Sequence, residues 1–273
     1  MPPILADLAH VWLRELEPTL TRYAIFTLGV WLLLWVVLRP FLVDRKIRPE
    51  TPSARQMATE FLYSMRSMAI FATVGVLMVL MGRAGLYPLF QIADTWGPVW
   101  FGVSIVAGIA GLDAWFYWTH RLMHDPRLFR RFHRRHHRSN NPSPFTAYSF
   151  DVGEALLLIG FVVVWPMVFP MSSGAMPWVM LYQIVTNTLL HSGYELMPAR
   201  RDGRPMLDFI VTTTHHDLHH AQAGWNYSAW FTWWDRWMGT EHPEYRAKYA
   251  AAAWRPFAPR PAREPALQMD QSV

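Results

Sequence analysis

Long apolar runs separated by short polar loops dominate the chain, and they predict helices rather than strands. The runs, in chain order, are 23–43, 68–82, 99–118, 155–169 and 176–190. A helix needs about 20 apolar residues to cross a bilayer, so the first and third runs predict spans. The second run has 15 residues and predicts a span if its helix begins before Arg66. The last two are short, are split by Pro170 and Gly174, and predict a re-entrant hairpin. The pattern favours an all-α, integral membrane helical protein.

Composition supports the membrane assignment and removes several kinds of chemistry. Apolar residues make up 52% of the chain and charged residues only 16%, whereas a soluble domain carries about a quarter charged residues. Tryptophans flank the third run at both ends, as in an interfacial aromatic belt. The chain has no cysteine. This excludes disulfides, thiolate metal ligands, cysteine-ligated clusters and a cysteine nucleophile.

Basic residues predict the orientation of the runs. Arginines and lysines crowd the loop between the first two runs, and seven arginines lie within 121–138. Loops rich in these residues stay on the cytoplasmic side. With a pI near 9.7, a nucleic-acid surface is the competing interpretation. We expect no nucleic-acid partner, because the arginines flank a membrane segment and can contact anionic headgroups.

The predicted organisation has four parts. Residues 1–22 form an N-terminal interfacial segment, whose acidic residues distinguish it from a secretory signal. Residues 23–95 carry the first two spans and their loops. Residues 96–243 carry most of the histidines, and residues 244–273 form a Pro-rich tail that we expect to be disordered.

Nine of the twelve histidines occur as three clusters and one outlier, all just beyond apolar runs. They are His120, His124, His133, His136, His137, His191, His216, His219 and His220. Within a cluster the spacing matches one helix face, so several imidazoles can point to one place. Nine imidazoles exceed the coordination sphere of one metal and predict a cytosolic cap that holds two. His10 and His242 are expected to be ordinary surface or core residues.

Ligand type alone leaves the metal open, because imidazole suits iron, copper, zinc and nickel. The chain lacks the sequence motifs that are typical of zinc proteases, serine hydrolases and carboxylate-bridged di-iron bundles. A dinuclear site that activates dioxygen beside a bilayer fits best. A membrane zinc hydrolase and a non-enzymatic metal-binding or transport protein remain alternatives.

Four strings carry a resemblance to a known family. They are LDAWFYWTHRLMH (112–124), RFHRRHHRSNNPSPFTAYSF (131–150), HSGYE (191–195) and THHDLHHAQAGWNYSAWFTWWDRWMGT (214–240). In order and spacing they resemble the fatty acid hydroxylase/sterol desaturase superfamily. The resemblance implies that 96–243 is the catalytic domain of a membrane di-iron oxygenase of lipids. It also implies that the nine histidines are the ligands of two iron ions.

The resemblance further implies that O2 is the oxidant and that electrons come from outside the chain. No flavin or nicotinamide fingerprint occurs, so NAD(P)H would act through a separate ferredoxin or cytochrome b5-type carrier. The fourth motif reads His191-x3-Glu195 in this chain, whereas it resembles H-x3-H in fatty acid hydroxylases of the family. A sterol-like lipid is therefore slightly favoured over a fatty acyl lipid as the substrate. Hydroxylation and desaturation both remain possible.

Other polar residues are candidates for a supporting role. Many family members have a histidine after the TAY string, where this chain has Asp151 and Glu154. Glu195 and His215 are candidates for extra ligands or for contacts to ligands, and so are Asp113 and Asp217. Asp235 is expected to pair with Arg236 or Arg204. The tryptophans of 225–237 are expected mostly to seat this region on the membrane interface rather than to line a lipid tunnel.

Overall fold

The computed structural model describes residues 3–253, and these residues are almost wholly helical. The first helices are α1 (Pro3–Tyr23), α2 (Ala54–Arg83), α3 (Pro88–Ala93), α4 (Gly97–Met123), α5 (Pro126–Phe132) and α6 (Arg134–His137). They are followed by α7 (Val152–Val168), α8 (Met176–Leu190), α9 (Thr213–Ala221), α10 (Trp233–Trp237) and α11 (Tyr245–Ala252). Within residues 3–253 only isolated β-bridges occur and no strand forms. The predicted all-α class is confirmed.

Three stretches of helix are long and apolar enough to cross a membrane, namely Asp7–Val37, Ala54–Arg83 and Pro88–Met123. They contain or overlap the three predicted runs. The first begins earlier than predicted, because α1 continues through π-helical turns at Ala24–Leu28 and Leu32–Val37. Residues 7–22 are therefore continuous with this helix, and their location at the membrane interface stays a prediction. They pack along α2, where the Trp12 indole donates a hydrogen bond to Thr73 across 3.1 Å.

Helix α2 begins at a cap and reaches well beyond the predicted run 68–82. The Ser53 hydroxyl accepts a hydrogen bond from the backbone N–H of Gln56 at 3.1 Å, as an N-cap does. The helix then has 30 residues, which corresponds to a length of about 45 Å. Its first turns lie beside the histidine-bearing loops, so its other end lies far from them.

Helices α7 and α8 form the predicted short pair, with 17 and 15 residues. Both pack on α4, and glycines allow a close approach. A methyl group at Gly111 would lie 2.5 Å from the Trp165 ring, and one at Gly108 would lie 2.7 Å from Val179. Helix α8 ends directly before His191. That this pair is re-entrant stays a prediction.

The C-terminal part of the described chain forms a cap of short helices and loops. The Asp235 carboxylate accepts hydrogen bonds from the backbone N–H groups of Tyr227 and Ser228, each at 2.9 Å. The predicted disordered tail is wrong for residues 244–253, because α11 packs on α9. Tyr245 and Tyr249 lie four residues apart on one helix face and are fully buried. The Pro-rich portion that motivated the prediction, 254–273, lies outside the described residues.

Candidate metal centre

The nine predicted ligands come from four separate parts of the fold and meet beside the end of α4. His120 lies on the last turn of α4, and His124 directly follows that helix. His133 precedes α6, which carries His136 and His137. His191 follows α8, and α9 carries His216, His219 and His220. All are buried except His124 and His137, which are half-buried.

Five of these side chains form one cluster, which we call the five-histidine group. It consists of His120, His124, His133, His137 and His219, with one ring nitrogen of each within 4.8 Å of the others. The Nε2 atoms of His120 and His133 are 2.9 Å apart. Nε2 of His219 lies 3.2 Å from that of His124 and 3.0 Å from that of His137. Such a convergence of ring nitrogens is the geometry that a metal ion requires.

The remaining four form the four-histidine group, which consists of His136, His191, His216 and His220. Nε2 of His191 lies 3.3, 3.0 and 3.3 Å from the Nε2 atoms of the other three, in that order. The two groups adjoin, because His136 and His137 are neighbours in the chain and the rings of His137 and His220 are 5.2 Å apart. The arrangement offers two adjacent metal positions.

Backbone carbonyls fix which ring nitrogen of His120 and of His219 faces the five-histidine group. Nδ1 of His120 donates to the carbonyl of Tyr227 at 2.7 Å, and Nδ1 of His219 donates to the carbonyl of Trp225 at 2.6 Å. Because a carbonyl only accepts, Nδ1 carries the proton in these neutral rings and Nε2 keeps its lone pair. Facing lone pairs about 3 Å apart repel one another unless a cation lies between them. The donor set therefore fits a bound metal.

Burial keeps these rings in the neutral form that binds metals. It lowers the pKa of His219 to about 4, against the hydrogen bond to the Trp225 carbonyl. It likewise lowers the pKa of His191 to about 4, although the carbonyl of Asn187 accepts from Nδ1 at 2.8 Å. At neutral pH both rings are therefore uncharged, as a ligand must be.

The Glu154 carboxylate contacts a predicted ligand, whereas in the sequence it stood out only as an acidic residue where many family members have a histidine. Oε1 of Glu154 accepts from Nδ1 of His133 at 2.8 Å, and both side chains are 2% exposed. An acid in the first turn of an otherwise apolar helix was the available signal, because a buried charge among apolar residues is costly and usually functional. Glu154 orients His133 and makes its Nε2 a stronger donor.

Two acids that were predicted to hold ligand histidines do something else. Asp113 accepts from the backbone N–H of Phe231 at 3.2 Å and from the Trp233 indole at 2.7 Å. It fastens the C-terminal cap to α4, and the Tyr227 carbonyl occupies the position on His120 that was predicted for it. Asp217 is buried and accepts two hydrogen bonds from Nε of Arg48, at 2.9 and 3.1 Å. It ties the loop after the first span to α9.

Glu195 and His215 lie outside both groups. The Glu195 carboxylate accepts from the backbone N–H of Met197 and from the N–H and hydroxyl of Thr214, at 2.7–2.9 Å. It therefore anchors the first turn of α9 instead of contacting a ligand nitrogen. His215 points to the opposite face of α9, with Nε2 3.6 Å from Asp235 and its ring against Tyr245.

Asp235 pairs with neither predicted arginine. Its oxygens hold the loop at Tyr227 and Ser228 and accept from the Thr240 hydroxyl at 2.7 Å. Arg236 instead contacts Asp208 and Glu241, and Arg204 contacts Asp202. The two histidines expected to be ordinary lie away from both groups. His10 is exposed, and His242 is buried with Nε2 2.8 Å from the side-chain oxygen of Gln222.

An apolar cavity of about 280 Å³ lies between the long helices and ends beside the histidines. At that end it is lined by Phe116, Phe150 and Trp230. The Phe116 ring lies 4.9 Å from that of His120, and the Phe150 ring lies 5.6 Å from that of His136. A single layer of aromatic rings thus separates the cavity from both groups. Trp230 is 2% exposed and is a wall of the cavity, whereas Trp237 is 66% exposed.

Comparison with known proteins identifies a family. The fatty acid hydroxylase family model matches residues 105–240, which include all nine histidines. Lathosterol oxidase of Mus musculus is 26% identical over 191 residues, covering 69% of this chain and 62% of the relative. Methylsterol monooxygenase 1 of Rattus norvegicus is 28% identical over 227 residues, covering 81% and 74%.

A Delta(7)-sterol 5(6)-desaturase of Gibberella zeae is 27% identical over 152 residues, which is 56% of this chain and 46% of that protein. The chain thus spans about three fifths of the length of the lathosterol oxidase and less than half that of the desaturase. No solved structure matches the chain significantly. The family match and these relatives show that the chain belongs to the fatty acid hydroxylase/sterol desaturase superfamily.

Proposed function

We propose that this chain is a membrane oxygenase that hydroxylates or desaturates a lipid C–H bond with O2 and external electrons. The observation that carries the proposal is the pair of adjacent histidine groups, in each of which the ring nitrogens converge on one place. The five-histidine group and the four-histidine group would each hold one iron ion. Two bound irons would supply the redox chemistry that activates O2 against an unreactive C–H bond.

The residues of the chain have three tasks in this reaction. The carbonyls of Tyr227, Trp225 and Asn187 each hold one ligand ring, so that three of the nine rings are fixed in one tautomer. Glu154 does the same for His133. The aromatic wall formed by Phe116, Phe150 and Trp230 holds the lipid beside the groups and excludes water, which protects a reactive site from side reactions.

The overall reaction needs a source of reducing equivalents. Hydroxylation takes up O2, two electrons and two protons, places one oxygen atom in the C–OH product and releases the other as water. Desaturation consumes the same reactants and releases two waters. The chain has no cysteine for a cluster and no recognised cofactor motif, so the electrons come from a separate ferredoxin or cytochrome b5-type carrier that NAD(P)H reduces.

The surface beside the groups suits an acidic carrier. Exposed arginines surround the second histidine cluster, namely Arg121, Arg127, Arg130, Arg131, Arg134 and Arg138. A surface of one sign attracts a partner of the opposite sign and speeds its encounter. The same residues favour a cytoplasmic location of the histidine groups.

Neither alternative function gains support from the described residues. A zinc hydrolase needs a free general base beside the metal, but the carboxylate that contacts a ligand, Glu154, is buried and bound to His133. A metal transporter needs ligands spaced along the bundle, whereas these nine lie together near one end of α4.

The test has two parts. Purified, iron-replete protein should contain about two irons per chain, since nine imidazoles overfill one coordination sphere. Membranes supplied with a reductase system should then convert a lipid with incorporation of label from 18O2, or with a new double bond. A His136→Ala/His219→Ala variant should do neither. Turnover without O2 and reductant would contradict the proposal and favour the hydrolase.

A further inference from the structure

The aromatic rings that pack on the predicted ligands differ in how easily they lose an electron. Among the described residues they are the rings of Phe116, Phe129, Phe150 and Tyr227. Phenylalanine resists one-electron oxidation, whereas the phenol of tyrosine and the indole of tryptophan lose an electron readily. The centre of the Tyr227 ring lies 5.2 Å from that of His124 and 5.8 Å from that of His219. Tyr227 is therefore the oxidisable ring in contact with the five-histidine group.

Tyr227 begins a series of oxidisable rings that ends at the protein surface. We call this series the aromatic row, and it consists of Tyr227, Tyr117, Trp234 and Trp237. The centre of the Tyr117 ring lies 6.3 Å from that of Tyr227 and is stacked on Trp234 at 5.7 Å. The rings of Trp234 and Trp237 are 5.5 Å apart. Tyr117 is fully buried and Trp237 is exposed. Electrons cross gaps of this size between rings rapidly, so the row connects the histidines with solvent.

The hydroxyl of Tyr117 is placed to release its proton. It accepts a hydrogen bond from Arg121 at 3.2 Å, and it donates its own hydrogen to the Thr240 hydroxyl at 3.0 Å. Thr240 must be the acceptor there, because its only hydrogen is donated to the Asp235 carboxylate at 2.7 Å. Loss of an electron makes a phenol strongly acidic, so its proton can move to Thr240 while Thr240 passes one to Asp235. Nε1 of Trp234 has no acceptor among the described residues, so Trp234 relays charge without losing its proton.

A path for electrons at this position has a use. An oxidant strong enough to attack an unreactive C–H bond also attacks its own ligands when no lipid is present to consume it. Enclosed sites limit such side reactions when substrate fills them. An empty site needs another way to remove the oxidant, and an electron that arrives through the aromatic row removes it without damage to an imidazole.

We propose that the aromatic row is a protective electron path, which quenches the oxidant formed from O2 when no lipid is bound. The source of that oxidant rests on the proposed function. In each passage Tyr117 gives one electron across the Tyr227 ring to the metal centre and its proton to the Thr240–Asp235 pair. A small reductant such as ascorbate loses one electron at Trp237, which restores the Tyr117 phenol as the proton returns. Two passages add two electrons to the two from the carrier, and with four protons from solvent O2 leaves as two waters.

The first experiment tests conduction along the row without O2 chemistry. A ruthenium photosensitiser is attached to Met238→Cys, next to Trp237, in this otherwise cysteine-free chain. The iron-loaded protein, oxidised as purified, is flashed in the presence of an electron acceptor and without reductant. We expect a tyrosyl radical in the EPR spectrum, identified by its change when the tyrosines are ring-deuterated. The radical should be lost in Tyr117→Phe and in Trp234→Phe. Tyr249→Phe, which changes a buried tyrosine outside the row, should keep it.

The second experiment uses O2. Reduced, iron-loaded protein is mixed with O2 without lipid, frozen at intervals and examined by EPR. We expect the same tyrosyl radical, which Tyr117→Phe should lose. Trp234→Phe should form the radical but lose it to added ascorbate more slowly than wild type. Trp178→Phe, which changes an exposed tryptophan outside the row, should match wild type. Iron content should be equal in all variants, which separates this role from support of the ligands.

A radical that persists in Tyr117→Phe would overturn the proposal, as would equal rates with ascorbate in wild type and Trp234→Phe. If Tyr117→Phe does not fold, Thr240→Val replaces it, because this variant keeps the ring and removes the proton acceptor. Thr240→Val should form less radical, and Thr240→Ser should restore it. Equal radical in Thr240→Val and wild type would also overturn the proposal.

The radical experiments and the turnover test fail separately. Oxidised lipid without a radical in either experiment would keep the oxygenase and refute the aromatic row. A flash-induced radical with neither an O2-induced radical nor oxidised lipid would refute the oxygenase and, with it, the protective role.

Discussion

Glu154 and His133 form a closed pair, with 2.8 Å between Oε1 and Nδ1 and both side chains 2% exposed. The pair joins α7 of the membrane bundle to the five-histidine group. A carboxylate on the far nitrogen of a ligand fixes the orientation of its ring and increases its basicity. Glu154 therefore links the position of α7 in the bundle to the metal affinity that we expect of the five-histidine group.

Replacement of Glu154 should weaken metal binding without removing a ligand. Glu154→Leu loses the acceptor, and we expect a loss of about 10–100-fold in metal affinity, as for other such partners. Glu154→Gln keeps a neutral acceptor and should lose less. The measurement is retention of iron against a graded chelator series. Glu244→Gln, an exposed carboxylate, is the control. Equal retention in wild type and Glu154→Leu would show that the contact is only structural.

The two histidine groups should tolerate ligand loss differently. Substitution of one histidine by alanine leaves four imidazole ligands in the five-histidine group and three in the four-histidine group. We therefore expect His220→Ala to lose about half of the iron and His124→Ala to lose less. Metal analysis of the purified variants measures this. His10→Ala should match wild type, and His242→Ala should lower stability while leaving metal content unchanged. Identical losses in both groups would indicate one shared site.

The Arg48–Asp217 pair should hold α9 in place. Their side chains are 16% and 10% exposed, so Arg48→Ala leaves a buried carboxylate without its partner. Breaking such a pair costs about 3 kcal/mol, and a lower apparent melting temperature should report it. Arg48→Ala/Asp217→Asn should recover part of the loss, because the uncompensated charge is gone. No recovery in the double variant would mean that packing of the Arg48 side chain is what matters.

Three glycines of α4 provide a matched test of helix packing. Gly108→Ala and Gly111→Ala place a methyl group 2.7 Å from Val179 and 2.5 Å from the Trp165 ring, whereas Gly102 has nothing within 4 Å. Overpacking of this kind costs about 1–3 kcal/mol. The first two variants should lower the apparent melting temperature, and Gly102→Ala should not. A destabilised Gly102→Ala would point to a general requirement for glycine in this helix.

The orientation of the chain can be tested directly, because it has no cysteine. Asn140 is exposed near the histidines, and Ala84 is exposed at the far end of α2. A membrane-impermeant thiol reagent added outside intact cells should label Ala84→Cys and spare Asn140→Cys, because the arginines near Asn140 favour the cytoplasmic side. Lysed cells serve as the control, in which both should react. The reverse pattern in intact cells would invert the proposed topology.

The sequence predicted the long helices and the convergence of the nine histidines, because apolar length and helical spacing are local properties. That these histidines bind metal stays a prediction. It did not predict how the histidines divide. His136 and His137 are neighbours but join different groups, since adjacent residues on α6 point in different directions. The partners of the ligands were missed as well. Asp113 lies seven residues before His120 on the same helix face, so it was predicted to accept a hydrogen bond from this ring. The acceptor for Nδ1 of His120 is instead the Tyr227 carbonyl, which lies 107 residues away along the chain.

Two rings of the five-histidine group, those of His120 and His219, are held by carbonyls of the loop 225–227, so this group is completed late in synthesis. His124 and His219 are 95 residues apart along the chain, and the carbonyls of Trp225 and Tyr227 emerge from the ribosome later still. At the usual rate of synthesis this interval lasts roughly 5–20 s. During that time the first two clusters lack His219 and the carbonyls that orient its ring and that of His120. A metal ion that binds as proposed above can therefore be enclosed by the five-histidine group only after the loop 225–227 has been synthesised.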